Sequence, residues 1–311
     1  MTLYAISRRR LGIDPNAKPL PAANRQHNRS PSAARVATLA WGANRGDAEA
    51  QYTLGVLGLV GKLGAAGRRK AHALLAASAM QNHAGACFVL GTLHQHGVLM
   101  PHNPEKAVHL FQNAVRSGHA RSQNALAQLM LAGTGIARDT DGAIHLLKAA
   151  IAQGQHDAMA NLGVLYIHDS GTPEDHARGI QLLTDAAVNG VVEAQHYLGW
   201  LYHTGIRVPQ DLDAARKWYG MAADGGKAKA QHSLAQMLLR PSGPFYEPVT
   251  ALKWLLVLAT GQDASLKHAA GTAIDTLAPQ LCADDVALAT EAALQWLQHH
   301  KLAAWTPLRV L

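Results

Sequence analysis

Eighteen histidines are the side chains of this chain best suited to chemistry, as metal ligands, general bases or pH-dependent charges. A metal site carried on a helix pairs His with His or Glu three or four residues away, because that spacing brings both ligands to the same side of adjacent turns. No two histidines here stand three or four apart. His196 and His203 share a helical face but lie about 10 Å from each other along the axis, too far for one zinc ion. His94-Gln95-His96 and His299-His300 would need ligands from elsewhere. Asp224-Gly225-Gly226-Lys227 looks like part of a phosphate loop, yet Ala228 follows the lysine and no strand precedes it. Gly133-Thr134-Gly135 sits where a loop is expected anyway. Cys87 falls in a core column shared with Gln51, Gln123, Met159, Gln195 and Gln231, which suits a buried structural thiol better than a nucleophile. No Ser, His and Asp grouping stands out. The expectation is a protein that is not an enzyme, with no catalytic residue, no metal and no cofactor.

The elements that carry these residues follow from a repeat. Stepping by 36 from Leu54-Gly55, the same slot reads Leu90-Gly91, Leu126-Ala127, Leu162-Gly163, Leu198-Gly199 and Leu234-Ala235. Five residues before its small member stand Ala50, Ala86, Ser122, Ala158, Ala194 and Ala230; two after it come Leu57, Leu93, Leu129, Leu165, Leu201 and Met237. Nineteen after it are Leu74, Leu110, Leu146, Leu182, Trp218 and Trp254. Within each unit these positions fall at helical spacing in two runs, small columns for close approach and large ones to fill the gap. Asn103, Asp139, Asp175, Asp211 and Glu247 stand where a second helix would need a cap, and Pro104 and Pro248 follow two of them. Gly118, Gly154, Gly190 and Gly226 supply left-handed stops. One hairpin of this kind cannot bury its own apolar face, so the units must stack into an α-solenoid.

Ala-x-x-x-Leu-Gly, the loop glycines Gly61, Gly97, Gly133 and Gly205, an Asp cap and an Ala-rich second helix together resemble Sel1-like repeats, 36-residue relatives of tetratricopeptide repeats. Arg207 to Tyr219 carries the resemblance most closely, and it extends over six repeats, residues 47–263. It implies an all-α fold, a right-handed superhelical solenoid of helical hairpins. Repeat one departs from the pattern: Gly67 replaces the cap acid, and glycine recurs at every third place from Gly55, which suggests a loosened loop. Residues 32–46 align with a second helix alone and are expected to form an N-terminal half repeat. Residues 264–311 are expected to hold capping helices, the last beginning at Asp284-Asp285 and anchored by Trp296-Leu297.

In tetratricopeptide-like proteins the first helices line the concave face, and repeat phase identifies which side chains point inward. Relative to the small residue of the slot, phases −6, −3, +1, +4 and +5 point inward; of these, −3, +1 and +4 place Tyr52, Phe88, Asn124, His196 and His232, then Gln128, Trp200 and Gln236, then Gln95 and His203, in one groove. Mixed aromatic, amide and imidazole groups suit a peptide or protein segment. They lack the row of Lys or Arg that phosphate neutralisation requires, which argues against nucleic acid in the groove.

The net charge of +7 does not reverse this, because it is local. Residues 1–35 hold seven basic side chains and one acid, whereas the remainder holds 21 basic and 20 acidic. Residues 1–31, with four prolines, read as a disordered basic tail. Tail-mediated anchoring to nucleic acid or an anionic surface, with the solenoid as a spacer, is therefore the alternative function. No eighteen-residue apolar run exists, so a transmembrane span is not expected. Two cysteines give no disulfide framework, and the expected compartment is cytoplasmic; the Arg-rich, acid-poor start makes mitochondrial import the alternative. The sequence leaves the partner and the oligomeric state open.

Overall fold

The computed structural model describes residues 32–169 and 172–300; the basic tail and the last eleven residues of the C-terminal segment lie outside them. All regular structure among the described residues is helical. In chain order the α-helices are α1 (Ala33–Asn44), α2 (Ala48–Leu59), α3 (Gly64–Met80), α4 (Ala84–His96), α5 (Pro104–Arg116), α6 (Ala120–Ala132), α7 (Thr140–Ala152) and α8 (His156–Asp169). They continue as α9 (Pro173–Val188), α10 (Val192–Thr204), α11 (Leu212–Asp224), α12 (Ala228–Leu238), α13 (Pro248–Ala259), α14 (Ala264–Leu277) and α15 (Ala283–His299). The chain divides into two compact units, Met1–Ala158 and Met159–Leu311. In the first, α2 packs on α3, α4 on α5 and α6 on α7, while α3 also packs on α4 and α5 on α6. In the second, α10 packs on α11 and α12 on α13, while α9 meets α10, α11 meets α12, and α13 meets α14 and α15.

The contact that sets each hairpin is the Leu-Gly/Ala slot against a residue twenty positions later. Leu75, Phe111, Leu147, Leu183, Tyr219 and Leu255 occupy that position and are at most 2% exposed. A Cβ added to Gly55 would stand 2.6 Å from Leu75, one on Gly91 2.6 Å from Phe111, and one on Gly199 2.5 Å from Tyr219. Carbon atoms do not approach so closely, so these glycines are there for want of space. Leu partners stand against Gly at Gly55 and Gly163 and against Ala in two other repeats. Both aromatic partners face Gly, whereas Ala127 and Ala235 face Leu147 and Leu255. The nineteen-residue column expected from the sequence is shallower: Leu74, Leu110, Leu146, Leu182 and Trp218 are half-buried, and only Trp254 is buried.

Successive hairpins are tied by a second recurring device. Gln51, Gln195 and Gln231 are buried, and the amide of each donates to a backbone carbonyl eight residues earlier, at Ala43, Ala187 and Ala223, over 3.2, 2.9 and 3.1 Å. Those carbonyls lie at the C-terminal ends of second helices, beyond the regular helical ladder, and each also accepts from the N–H of the glycine three residues on, Gly46, Gly190 or Gly226. Cys87 takes the same place in repeat two, fully buried, its Sγ 3.8 Å from the Ala79 carbonyl oxygen; burial pushes its thiol up. It is the structural thiol expected. Gln51 and Gln123 also accept from Gln81 and Gln153 at 2.9 and 3.0 Å. Gly225 stands at the corresponding place in repeat five, and among the described residues Gln195 Oε1 is left buried without a donor.

Capping follows the expectation at three sites and departs from it at two. Asn103, Asp139 and Asp211 accept from the backbone N–H three residues on. Asp175 does not cap: α9 begins earlier, Thr172 accepts from the Asp175 amide at 3.2 Å, and Pro173 takes the first helical position. Glu247 makes no side-chain cap because its carboxylate pairs with Arg216 of α11 instead. In repeat one the loosened loop is absent. Gly67 lies inside the 17-residue α3, and Gly58 lets α2 approach it, since a Cβ there would stand 2.5 Å from the Gly67 carbonyl oxygen. Gly118, Gly154, Gly190 and Gly226 close the second helices with φ between +74° and +87°. At the ends, α1 is a single helix capped by Ser32. Helix α15 carries Asp284 and Asp285 in its first turn and buries Trp296 and Leu297, Trp296 lying edge-on to Trp254 at 5.8 Å.

Gly199→Ala is expected to lower the unfolding free energy by about 1–2 kcal/mol, because overpacking outweighs the helix propensity that alanine adds. In a Tyr219→Leu background the same change should cost little, since Ala against Leu is a pair this chain already uses twice. Urea unfolding of the four proteins decides it, and an equal cost in both backgrounds rejects the size match.

Candidate protein-binding surface

The residues expected to line a groove project from first helices. In the first unit, Tyr52 is half-buried in α2 and stacks on His83 with ring centroids 4.6 Å apart. Gly85 makes room for it, for a Cβ there would stand 2.9 Å from the tyrosine ring. His83 accepts the Ala86 amide at Nδ1 and so caps α4; its Nε2 then carries the proton that Glu49 accepts at 2.9 Å. Phe88, half-buried in α4, repeats the arrangement with His119, whose Nδ1 caps α6 through Ser122. Gln95 and Asn124 are half-buried, and Gln128 is exposed on α6.

In the second unit, His196 and His203 of α10 flank one ring. Their centroids lie 5.8 and 5.9 Å from that of Tyr219, which is buried and hydrogen-bonds to Ser233. Trp200 lies between them in sequence and is half-buried against Tyr197, 5.5 Å away. His232 is half-buried with its Nδ1 enclosed and unpartnered among the described residues, and Gln236 is exposed on α12. The proposed columns are not open throughout. Leu59, Thr92, Ala160 and Ile167 share their phases and are buried, so they belong to the packing between helices.

Burial holds His119, His196 and His203 towards the neutral form. It lowers His119, with Arg121 and His83 adding to the effect, and it lowers His203, with Arg240 adding. It also lowers His196, where Lys227 and Lys229 add and Glu193 opposes. Tyr52 is raised, by burial first and then by Glu49, while Arg121 opposes.

A cleft of about 240 Å³ opens beside His196. Val164 of α8 and Tyr197 of α10 form apolar wall, and Glu193, Lys227 and Lys229 surround it. The Lys227 ammonium pairs with Glu193 at 3.0 Å. The sequence reading counted phase −6 as inward but took its site residues from phases −3, +1 and +4 alone, which passed over these charges. Phase −6 places Glu193 and Lys229 on the same face, and it reads Glu49, Gly85, Arg121, Asp157, Glu193 and Lys229 along the chain. Among the described residues no group of three or more His, Cys, Asp or Glu side chains is placed to hold a metal ion. Among them also, no helix is long and apolar enough to cross a membrane.

Six consecutive stretches, residues 48–83, 84–119, 120–155, 156–190, 192–227 and 228–261, match the sequence profile of a family described as Sel1 repeat. No curated protein matches the chain. Among solved structures, c5321, a protective antigen of uropathogenic Escherichia coli displaying an SLR fold, is similar with a TM-score of 0.69 and 23% identity. That match covers 100% of this chain and 64% of that one, so the chain spans less than two thirds of c5321. A Sel1 repeat protein from Oxalobacter formigenes is similar with a TM-score of 0.63 and 26% identity, over 71% of this chain and 88% of that one. The fold is therefore the α-solenoid inferred from the repeat.

Because His119, His196 and His203 are lowered in the folded chain, that chain binds fewer protons than the unfolded one just below the ordinary histidine range. The stability they allow is complete above about pH 6.5 and declines as the pH falls below it. The urea midpoint should be lower at about pH 5.5 than at about pH 7.5, and His203→Gln should reduce the difference. A midpoint that rises on acidification contradicts this reading.

Proposed function

Since the chain belongs to the Sel1 repeat family, we propose that it is a non-enzymatic scaffold that holds a peptide or protein segment along the face of its first helices. The observation that carries the reading is recurrence at one phase. Tyr52, Phe88, His196 and His232 are all half-buried rings at position −3 of their repeats, held on rigid helices. Ring contacts on the protein side fix Tyr52, Phe88 and His196 in place. A ring restrained in this way loses little freedom when a partner covers its remaining surface, which is why such groups anchor interfaces. The exposed amides of Gln128 and Gln236 stand at the same phase of their repeats, each able to hydrogen-bond a passing backbone. Arg121 and Lys229 are the cations at phase −6, too few for a phosphate backbone.

Trp200 is a poor probe of this face, because it packs against the buried clusters on both sides of α10. Gln128→Arg combined with Gln236→Arg changes only exposed positions and should leave the melting temperature unaltered while abolishing affinity capture of the partner from native lysate. Met80→Arg, at an exposed site of a second helix, serves as the control and should retain capture. Equal capture by the double variant and the control sinks the proposal.

A further inference from the structure

We propose that the segment bound on this face carries a carboxylate, seated against Lys229 and Lys227 in the cleft beside His196, with an apolar neighbour lying on Val164 and Tyr197. This rests on the reading that the first helices hold a peptide, and it names the chemistry of the part that meets repeats four to six. Three observations favour an anion there. Lys229 is exposed at the first-helix phase and makes no ion pair among the described residues. Lys227, half-buried, brings a second ammonium to the same cleft, and its Glu193 partner is 69% exposed. Such a solvent-exposed pair holds its partner weakly and yields to a better-placed acceptor.

The third observation is the effect of the same two lysines on the imidazole beside the cleft. His196 is held towards neutrality by burial and then by Lys227 and Lys229, so the local field at the cleft is positive despite Glu193. The volume, about 240 Å³, suits one acidic group and a neighbouring side chain rather than a folded surface. Tyr197 is fixed by a 2.7 Å hydrogen bond between its hydroxyl and His168, so the apolar wall is already in place. A carboxylate on a side chain and one at a chain end have the same chemistry here.

The test uses the full chain and fluorescent nine-residue peptide pools, randomised except for a central Leu-Glu-Leu, Leu-Gln-Leu or Leu-Lys-Leu. Each pool is made with a free and with an amidated C-terminus, and binding is read by anisotropy. The Glu pool should bind about tenfold more tightly than the Gln pool. Lys229→Met should remove that preference, and Lys229→Glu should transfer it to the Lys pool, with melting temperatures unchanged. If free termini bind and amidated ones do not, whatever the central residue, the carboxylate belongs to a chain end and the proposal stands. Equal binding of all pools, lost in the Gln128→Arg/Gln236→Arg variant, overturns the acidic group and leaves the binding face intact. Absence of binding by every pool overturns both.

Discussion

A missing Cβ is what the rest of this structure depends on. Two helices of one hairpin approach closely enough that the slot of the first tolerates Gly or Ala and nothing larger, and a fully buried residue of the second fills it. Everything downstream is set by that distance. Within each unit the helices of a hairpin can share one apolar seam, second helices can meet the next first helix, and the side chains at other phases are aimed outward in a repeating order. The steric constraint does not specify what the outward residues are. That leaves them free to serve binding.

The helices and their order were legible because packing repeats every 36 residues and the slot never changes character. The deepest column was not. Leu75, Phe111, Leu147, Leu183, Tyr219 and Leu255 vary from aliphatic to aromatic, and beside them the Leu/Trp column one residue earlier looks equally apolar. Only the direction of approach of the two helices separates them. The cap residues show the same limit. A capping side chain is recognised by type, but Glu247 was claimed by Arg216, and Asp175 was preceded by a better start at Thr172-Pro173. Glycine in repeat one was ambiguous in sequence. Gly55 and Gly58 serve contact, whereas Gly61 and Gly64 serve turning, with φ of +77° and +66°.

The candidate surface was legible by phase and not by exposure. Tyr52, Phe88, His196 and His232 do project from first helices as half-buried rings, yet Ala160 and Thr92, at equivalent phases, are buried. Burial depends on the size of neighbours in adjoining repeats, which a single column does not display. Lys229 of the cleft stands at an inward phase, yet its column does not single it out. Phase −6 alternates in sign and size along the chain, so it carries no repeat signal although it shares the face. Residues that distinguish one repeat from another are the ones a periodic reading averages away.

The two ties that hold the repeats differ in reach. The slot and its filler lie twenty residues apart, inside one repeat, so the fit between Gly199 and Tyr219 is private to that unit. The glutamine tie crosses to the preceding repeat, but it lands on a backbone carbonyl that any residue would present. The size-specific interaction is thus internal and the external one is generic. A 36-residue block is in this sense a cassette: duplicated or excised whole, it carries its own steric fit with it, and asks of its new neighbour only the end of a helix.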